Sequence, residues 1–137
     1  MQPPRLPHRV RVLGPSPPLV GEVTVGGAKN SAMPMLAAAV VAHAPVVLER
    51  VPSISDLDVL AAIFRALGAD CDRDGDHRIR VDGRGLKTND IPAALSTRLR
   101  GSVYALAPAA IRFGQATIGP IGGDPIAGRT LEPHARA

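Results

Sequence analysis

Hydrophobic and polar positions along the first third of the chain follow two periods. Residues 9–13 alternate charged and apolar side chains as a half-buried strand does, and the proline-rich stretch 14–18 ends it. Residues 21–25 read as a second strand. From Ser31 the pattern turns almost wholly apolar to about residue 42, which predicts a helix capped by Ser31 with Pro34 tolerated in its first turn. A helix apolar on all sides is expected to be buried. Residues 46–51 then read as a strand rich in β-branched side chains.

The next helix carries the clearest signals in the chain. Ser55 stands at the cap, Asp58 at the capping-box position and Gly68 at the stop, while Leu57, Leu60, Ala61, Phe64 and Leu67 form one apolar stripe. Residues 70–72 and 77–81 flank Asp74-Gly75, a dipeptide that favours a tight hairpin, with Ile79 and Val81 on one face and Arg78 and Arg80 on the other. Residues 21–82 therefore spell strand, helix, strand, helix and hairpin. The chain then begins that order again: a strand in 86–91, a helix over 96–113 with Leu99, Val103, Leu106 and Ala110 on one face and a kink at Pro108, and a strand in 115–119. The order calls for a second helix and hairpin after the loop 120–128, but only nine residues, 129–137, remain. The reading is an α+β chain with a flexible tail at 1–8 and one partial domain at 9–137, made of a complete unit (21–82) and an incomplete one (86–137).

Composition narrows the class. A chain of 137 residues suits a single core, and 45% hydrophobic with 20% charged residues describes a folding chain rather than a disordered one. Aromatic residues are 2%, Phe64, Tyr104 and Phe113 in full, so the core must come from Ala, Val, Leu and Ile. Cys71 is the sole cysteine, which excludes an internal disulfide, fits a reducing, cytoplasmic compartment and suggests a buried structural thiol. The longest apolar run, 35–42, falls far short of the roughly 20 residues a membrane helix needs. No membrane partner, metal or cofactor is expected. The net charge of +4 favours anionic partners, and lysine contributes only Lys29 and Lys87 to it. Arg78, Arg80 and Arg84 raise a nucleic-acid reading, which the lack of stacking aromatics disfavours.

Three segments could carry chemistry. Gly26-Gly27-Ala28-Lys29-Asn30 joins a strand to a helix start, where free N–H groups and the helix dipole favour an anion; a plain tight turn explains the glycines as well. Arg100, in Arg98-Leu99-Arg100-Gly101-Ser102, sits near a helix start where a cation is disfavoured unless an anion binds, though solvated helix arginines are common. Gly122-Gly123-Asp124-Pro125-Ile126-Ala127-Gly128-Arg129 is a loop with one carboxylate and one guanidinium, suited to a lid over an anionic substrate or to a structural turn. Glu132 and His134 stand near the end of the chain, where an exposed tail is the default.

In this order the segments resemble the UDP-N-acetylglucosamine enolpyruvyl transferases, also called UDP-N-acetylglucosamine 1-carboxyvinyltransferases. The matching text is Gly21-Glu22-Val23-Thr24-Val25-Gly26-Gly27-Ala28-Lys29-Asn30, then Arg100-Gly101-Ser102, Arg112-Phe113-Gly114-Gln115, and Gly122-Gly123 through Arg129. The related shikimate-pathway transferases usually carry Lys-Ser at the first turn, so Asn30 points to the nucleotide-sugar branch. The resemblance implies an enolpyruvate-transferase-like fold of repeated units, and transfer of an enolpyruvyl group from phosphoenolpyruvate to the sugar 3-hydroxyl, which starts peptidoglycan precursor synthesis. By it, Lys29 binds phosphoenolpyruvate, Asn30 hydrogen-bonds the sugar, Arg100 and Arg129 hold phosphate-bearing groups, and Glu132 joins the substrate contacts.

The chain also departs from the family pattern. The family usually has a cysteine where this chain has Asp124, which can serve as a general acid but cannot form the thioether that fosfomycin makes with a thiolate. Family members carry further copies of the unit in two domains around the site, and their later base carboxylate and a further phosphate-binding arginine have no counterpart here. The alternative expectation is a catalytically inactive fragment or partner-binding module, completed by a second polypeptide or by self-association through unpaired strand edges.

Overall fold

A computed structural model of the chain describes residues 11–123 together with residues 130 and 132. At its centre is helix α2 (Ser55–Leu67). Its expected stripe is buried in full and is joined by Val59 and Ile63. The helix stops where glycine allows it to: Gly68 takes φ 105°, its N–H donates to the Arg65 carbonyl (3.0 Å), and the Ala69 N–H reaches back to Phe64 (3.0 Å). The other end differs from expectation. Ser55 is the first helical residue, extended Ile54 holds the cap position, and no side chain caps it. Asp58 is engaged instead by Arg73, whose Nε donates to it at 2.8 Å.

Helix α2 packs on strand β2 (Asp70–Arg73), which forms a hairpin with β3 (Arg78–Asp82). Residues 74–77 make the turn, one position later than the expected flanks 70–72 and 77–81 implied, with Gly75 at φ 74° and the Asp74 N–H donating to Arg78 (3.1 Å). Strand β1 (Val46–Glu49) pairs with the other side of β3, giving an antiparallel sheet in the order β1, β3, β2. Period-two alternation decides its faces. Leu48, Cys71, Ile79 and Val81 point into the core, while Glu49, Arg78 and Arg80 face solvent.

Helix α1 (Lys29–Val40) lies against this sheet and α2. Ala28 is its cap residue rather than Ser31, which lies inside the first turn and returns its hydroxyl to the Ala28 carbonyl (3.0 Å). The helix is buried on one side only: Ala32, Met33, Leu36, Ala37, Ala39 and Val40 are covered, whereas Pro34, Met35 and Ala38 are exposed. Nothing among the described residues packs on that second face.

Of the strand expected over 9–13, residues 9 and 10 lie outside the described residues; neither 11–13 nor 21–25 forms a strand. Residues 11–28 run without regular structure, and Val12, Leu13, Leu19, Val20, Val23 and Val25 are each at least 79% exposed. An alternating sequence makes a strand only when a neighbour supplies the ladder hydrogen bonds, and among the described residues these have no such neighbour.

The second half begins with β4 (Asp90–Ile91), the paired remnant of the expected 86–91 strand. It runs parallel to β5 (Thr117–Ile118), in the register Asp90↔Thr117 and Ile91↔Ile118. The crossover is not one helix. It divides into α3 (Ala93–Ser96), a 3-10 segment (Arg100–Ala105) and α4 (Leu106–Phe113), with Leu99 extended at φ −149° between the first two. Pro108 has no N–H for the Tyr104 carbonyl, so a continuous helix through it would lose a bond; placed in the first turn of α4 it loses none. The break also shifts the buried face: Leu99, Ser102, Ala105 and Ala109 are buried, Val103 and Leu106 half-buried, and Ala110 is exposed.

Candidate functional site

Lys29 is the first residue of α1, separated from the Gly26-Gly27 turn only by the cap residue Ala28. That turn presses on the backbone that leaves β1. A Cβ on Gly27 would stand 1.8 Å from the Arg50 carbonyl oxygen, so only glycine fits. Arg50 takes φ 55°, a left-handed conformation uncommon for a residue with a Cβ, and this ends β1 earlier than the sequence suggested. Between the two stretches lies an open groove of about 440 Å³, lined by residues 25–28 and 48–51 and by Ser31, Ala32 and Met35.

A cation at a helix N-terminus meets the positive end of the dipole. Lys29 is relieved of this by Asp56 in the first turn of α2, with which its Nζ forms an ion pair. The two side chains are 51% and 29% exposed, so an incoming anion can reach the pair. Asn30 is exposed beside it. Sequence reasoning did not single out Asp56, although an aspartate beside a helix cap, where the dipole favours it, was there to be read.

Arg100 opens the 3-10 segment and is half-buried. That segment packs against both α1 and α2. Gly101 makes the approach to α1 close enough that a Cβ there would stand 2.0 Å from the Met33 Cε, four residues along α1 from Lys29. On its other side Arg100 meets the Gly122-Gly123 turn, where Gly123 has φ 90° and a Cβ would stand 2.6 Å from that of Arg100. The elements that lead with Lys29 and Arg100 are therefore neighbours. Asp124 and Arg129 lie outside the described residues; Glu132 is described and exposed.

Cys71 is 1% exposed and takes no part in this region. Burial pushes its thiol up to about 12, against a smaller opposing pull from Arg65, whose Nη1 donates to the Cys71 carbonyl at 2.6 Å. On the sheet's outer face Arg78 pairs with Glu49 (3.7 Å) and Asp74 (3.3 Å). Arg84 pairs with Asp82 at 2.7 Å, and its hydrogen bonds pull that carboxyl down to about 2. Among the described residues no group of three His, Cys, Asp or Glu side chains could hold a metal, and no helix is long and apolar enough to cross a membrane.

Comparison with known proteins places this geometry among relatives. Residues 13–137 match the family model described as EPSP synthase (3-phosphoshikimate 1-carboxyvinyltransferase). The chain is 38% identical over 127 residues to proteins named UDP-N-acetylglucosamine 1-carboxyvinyltransferase from Vibrio atlanticus (strain LGP32) and Vibrio vulnificus (strain CMCP6), and 35% identical to that of Aliivibrio fischeri (strain MJ11). These alignments cover 93% of this chain and 30% of each relative, so the chain spans less than a third of their length. Among solved structures, the crystal structure of the enolpyruvyl transferase NikO from Streptomyces tendae superposes with a TM-score of 0.63 at 40% identity, over 70% of this chain and 22% of that one.

Proposed function

Because the chain belongs to the EPSP synthase family, we propose that it forms the opening part of a site in which an enolpyruvyl group passes from phosphoenolpyruvate to the 3-hydroxyl of UDP-N-acetylglucosamine, with release of phosphate. One observation carries the reading: α1 packs on the 3-10 segment through Met33 and Gly101, which sets the elements led by Lys29 and Arg100 side by side. Phosphoenolpyruvate holds a phosphate and a carboxylate close together, and fixed cations on neighbouring elements offset their repulsion. Lys29 takes the phosphoenolpyruvate, Asn30 the sugar, and Arg100 the phosphate-bearing groups. Arg129 and Glu132 complete the substrate contacts, and Asp124 serves as general acid in place of a thiol. The work is cytoplasmic, and the product enters peptidoglycan precursor synthesis.

The direct test is calorimetric titration of the purified chain with UDP-N-acetylglucosamine, then an assay for phosphate release from phosphoenolpyruvate dependent on that nucleotide sugar. Binding with turnover supports the reading in full. Binding without turnover assigns the ligand surface but not the reaction, and no binding refutes both. A complete enzyme with this loop should also escape time-dependent inactivation by fosfomycin.

A second reading has its own support. Six aliphatic side chains between Val12 and Val25 are exposed, four of them in the two segments whose patterns read as strands, as segments awaiting a partner would be. On this reading the chain is an inactive, partner-binding module that keeps part of the ligand surface. Sedimentation analysis of the purified chain separates the two, because a module of this kind self-associates or binds a second polypeptide, whereas the first reading needs no association.

A further inference from the structure

Ser96 ends α3 with 0% exposure, and three of its hydrogen bonds join the segments on either side of Arg100. Its hydroxyl donates to the Pro120 carbonyl at 2.7 Å, a shorter contact than the 3.4 Å alternative to Ala93 within its own helix. Its carbonyl accepts the Gly122 N–H at 2.9 Å and the Ser102 hydroxyl at 3.3 Å. The first two bonds tie residues 120–123 to the turn before Arg100, and the third ties that turn to the 3-10 segment Arg100 begins. Glycines make the contact possible: a Cβ on Gly122 would stand 1.8 Å from the Thr97 carbonyl oxygen, and one on Gly119 would stand 3.1 Å from the Ala93 Cβ. Arg100 is thus held from both sides, by the Ser96–Ser102 bond beneath it and by the Gly123 backbone beside it.

We propose that Ser96 is the positioning residue of the Arg100 subsite, and that it holds the guanidinium where a phosphate-bearing ligand is met. The proposal rests on the reading of Arg100 as a phosphate contact. Arginine binds phosphate through a planar fork whose value depends on orientation, so a small shift of its backbone is felt in affinity. Alanine at 96 keeps the backbone carbonyl and the bonds it accepts but releases Pro120, which lets the 120–123 stretch drift from Arg100.

The test is a double-mutant cycle on the full chain, read by calorimetric titration with UDP-N-acetylglucosamine well below each variant's unfolding midpoint. Ser96→Ala is expected to weaken binding roughly tenfold, and Ser96→Thr, which restores the hydroxyl, to recover most of that loss. On an Arg100→Ala background Ser96→Ala should cost nothing further, because the residue acts through Arg100; a merely structural role would lower the unfolding midpoint without this coupling. Equal affinity of Ser96→Ala and the unsubstituted chain, or a full loss that persists without Arg100, overturns the proposal alone. Absence of binding by the unsubstituted chain overturns the reading beneath it and the proposal with it. Should Ser96→Ala fail to fold, Ser96→Cys, nearly isosteric and a weaker donor, carries the same cycle.

Discussion

Lys29 and Asp56 form an ion pair that joins the first residue of α1 to the first turn of α2. Each helix gains, because Asp56 lies at the positive end of α2 where a carboxylate is favoured, and its charge offsets the unfavourable placement of Lys29 on α1. On the proposed reading of Lys29, a phosphate that approaches it competes with the carboxylate already there.

Removal of that competitor should strengthen anion binding. Asp56→Asn is expected to tighten the affinity for inorganic phosphate about two- to fivefold, the range expected for a partly exposed pair. Titration of both proteins with phosphate at low ionic strength checks it, and weaker binding by the variant would mean that Asp56 instead orients Lys29 for its ligand.

Gly27→Ala should destabilise the chain by about 1–3 kcal/mol or more, the usual cost of overpacking, because its Cβ meets the Arg50 backbone rather than a side chain that could swing aside. Urea unfolding of the two proteins measures the difference. Gly26→Ala is the control, since a Cβ at that position has nothing within 4 Å.

The two phenylalanines should behave oppositely. Phe64 is 0% exposed at the centre of the α2 stripe, so Phe64→Ala is expected to cost about 3–5 kcal/mol. Phe113, 37% exposed at the end of α4, should cost far less on the same substitution, within about 1 kcal/mol. Thermal or chemical unfolding of the pair decides the matter.

Cys71 should resist thiol reagents in the native chain at pH 8 and react at once when unfolded, because its thiol stays protonated and covered up to about 12. The sign of the stability effect follows. The folded-state value lies above the ordinary 9.0, so the unfolded chain releases this proton first as the pH rises. The contribution of Cys71 is therefore complete below pH 9 and is lost between pH 9 and 12. Unfolding measured across that range should show Cys71→Ala with a shallower decline than the unsubstituted chain.

How far each element could be read from sequence depended on whether its partners were local. Helix α2 and the β2–β3 hairpin were legible nearly to the residue, since a 3.6-residue stripe, a stop glycine and a period-two alternation act within a few turns of chain. The stretch 21–25 carried an equally good strand pattern and formed none, for a strand is completed by a neighbour and none is present among the described residues. Expected as one helix, residues 96–113 broke into three pieces; the apolar spacing gave no sign of the extended Leu99, which turns the chain toward the 120–123 stretch that Ser96 holds.

For the candidate site the sequence alone determined the chemistry: a glycine turn that delivers Lys29 and Asn30 to a helix start, and an arginine followed by Gly101-Ser102, because these depend on residue type and short spacing. Tertiary structure decided who their neighbours are. Asp56 reaches Lys29 from a different helix, Met33 reaches Gly101 across a packed interface, and Ser96 binds Pro120 and Gly122 from 24 and 26 residues away. Contacts of that kind follow from how helices and strands pack, which no local pattern encodes, and so the charge state and the support of each candidate residue became readable only once the chain was folded.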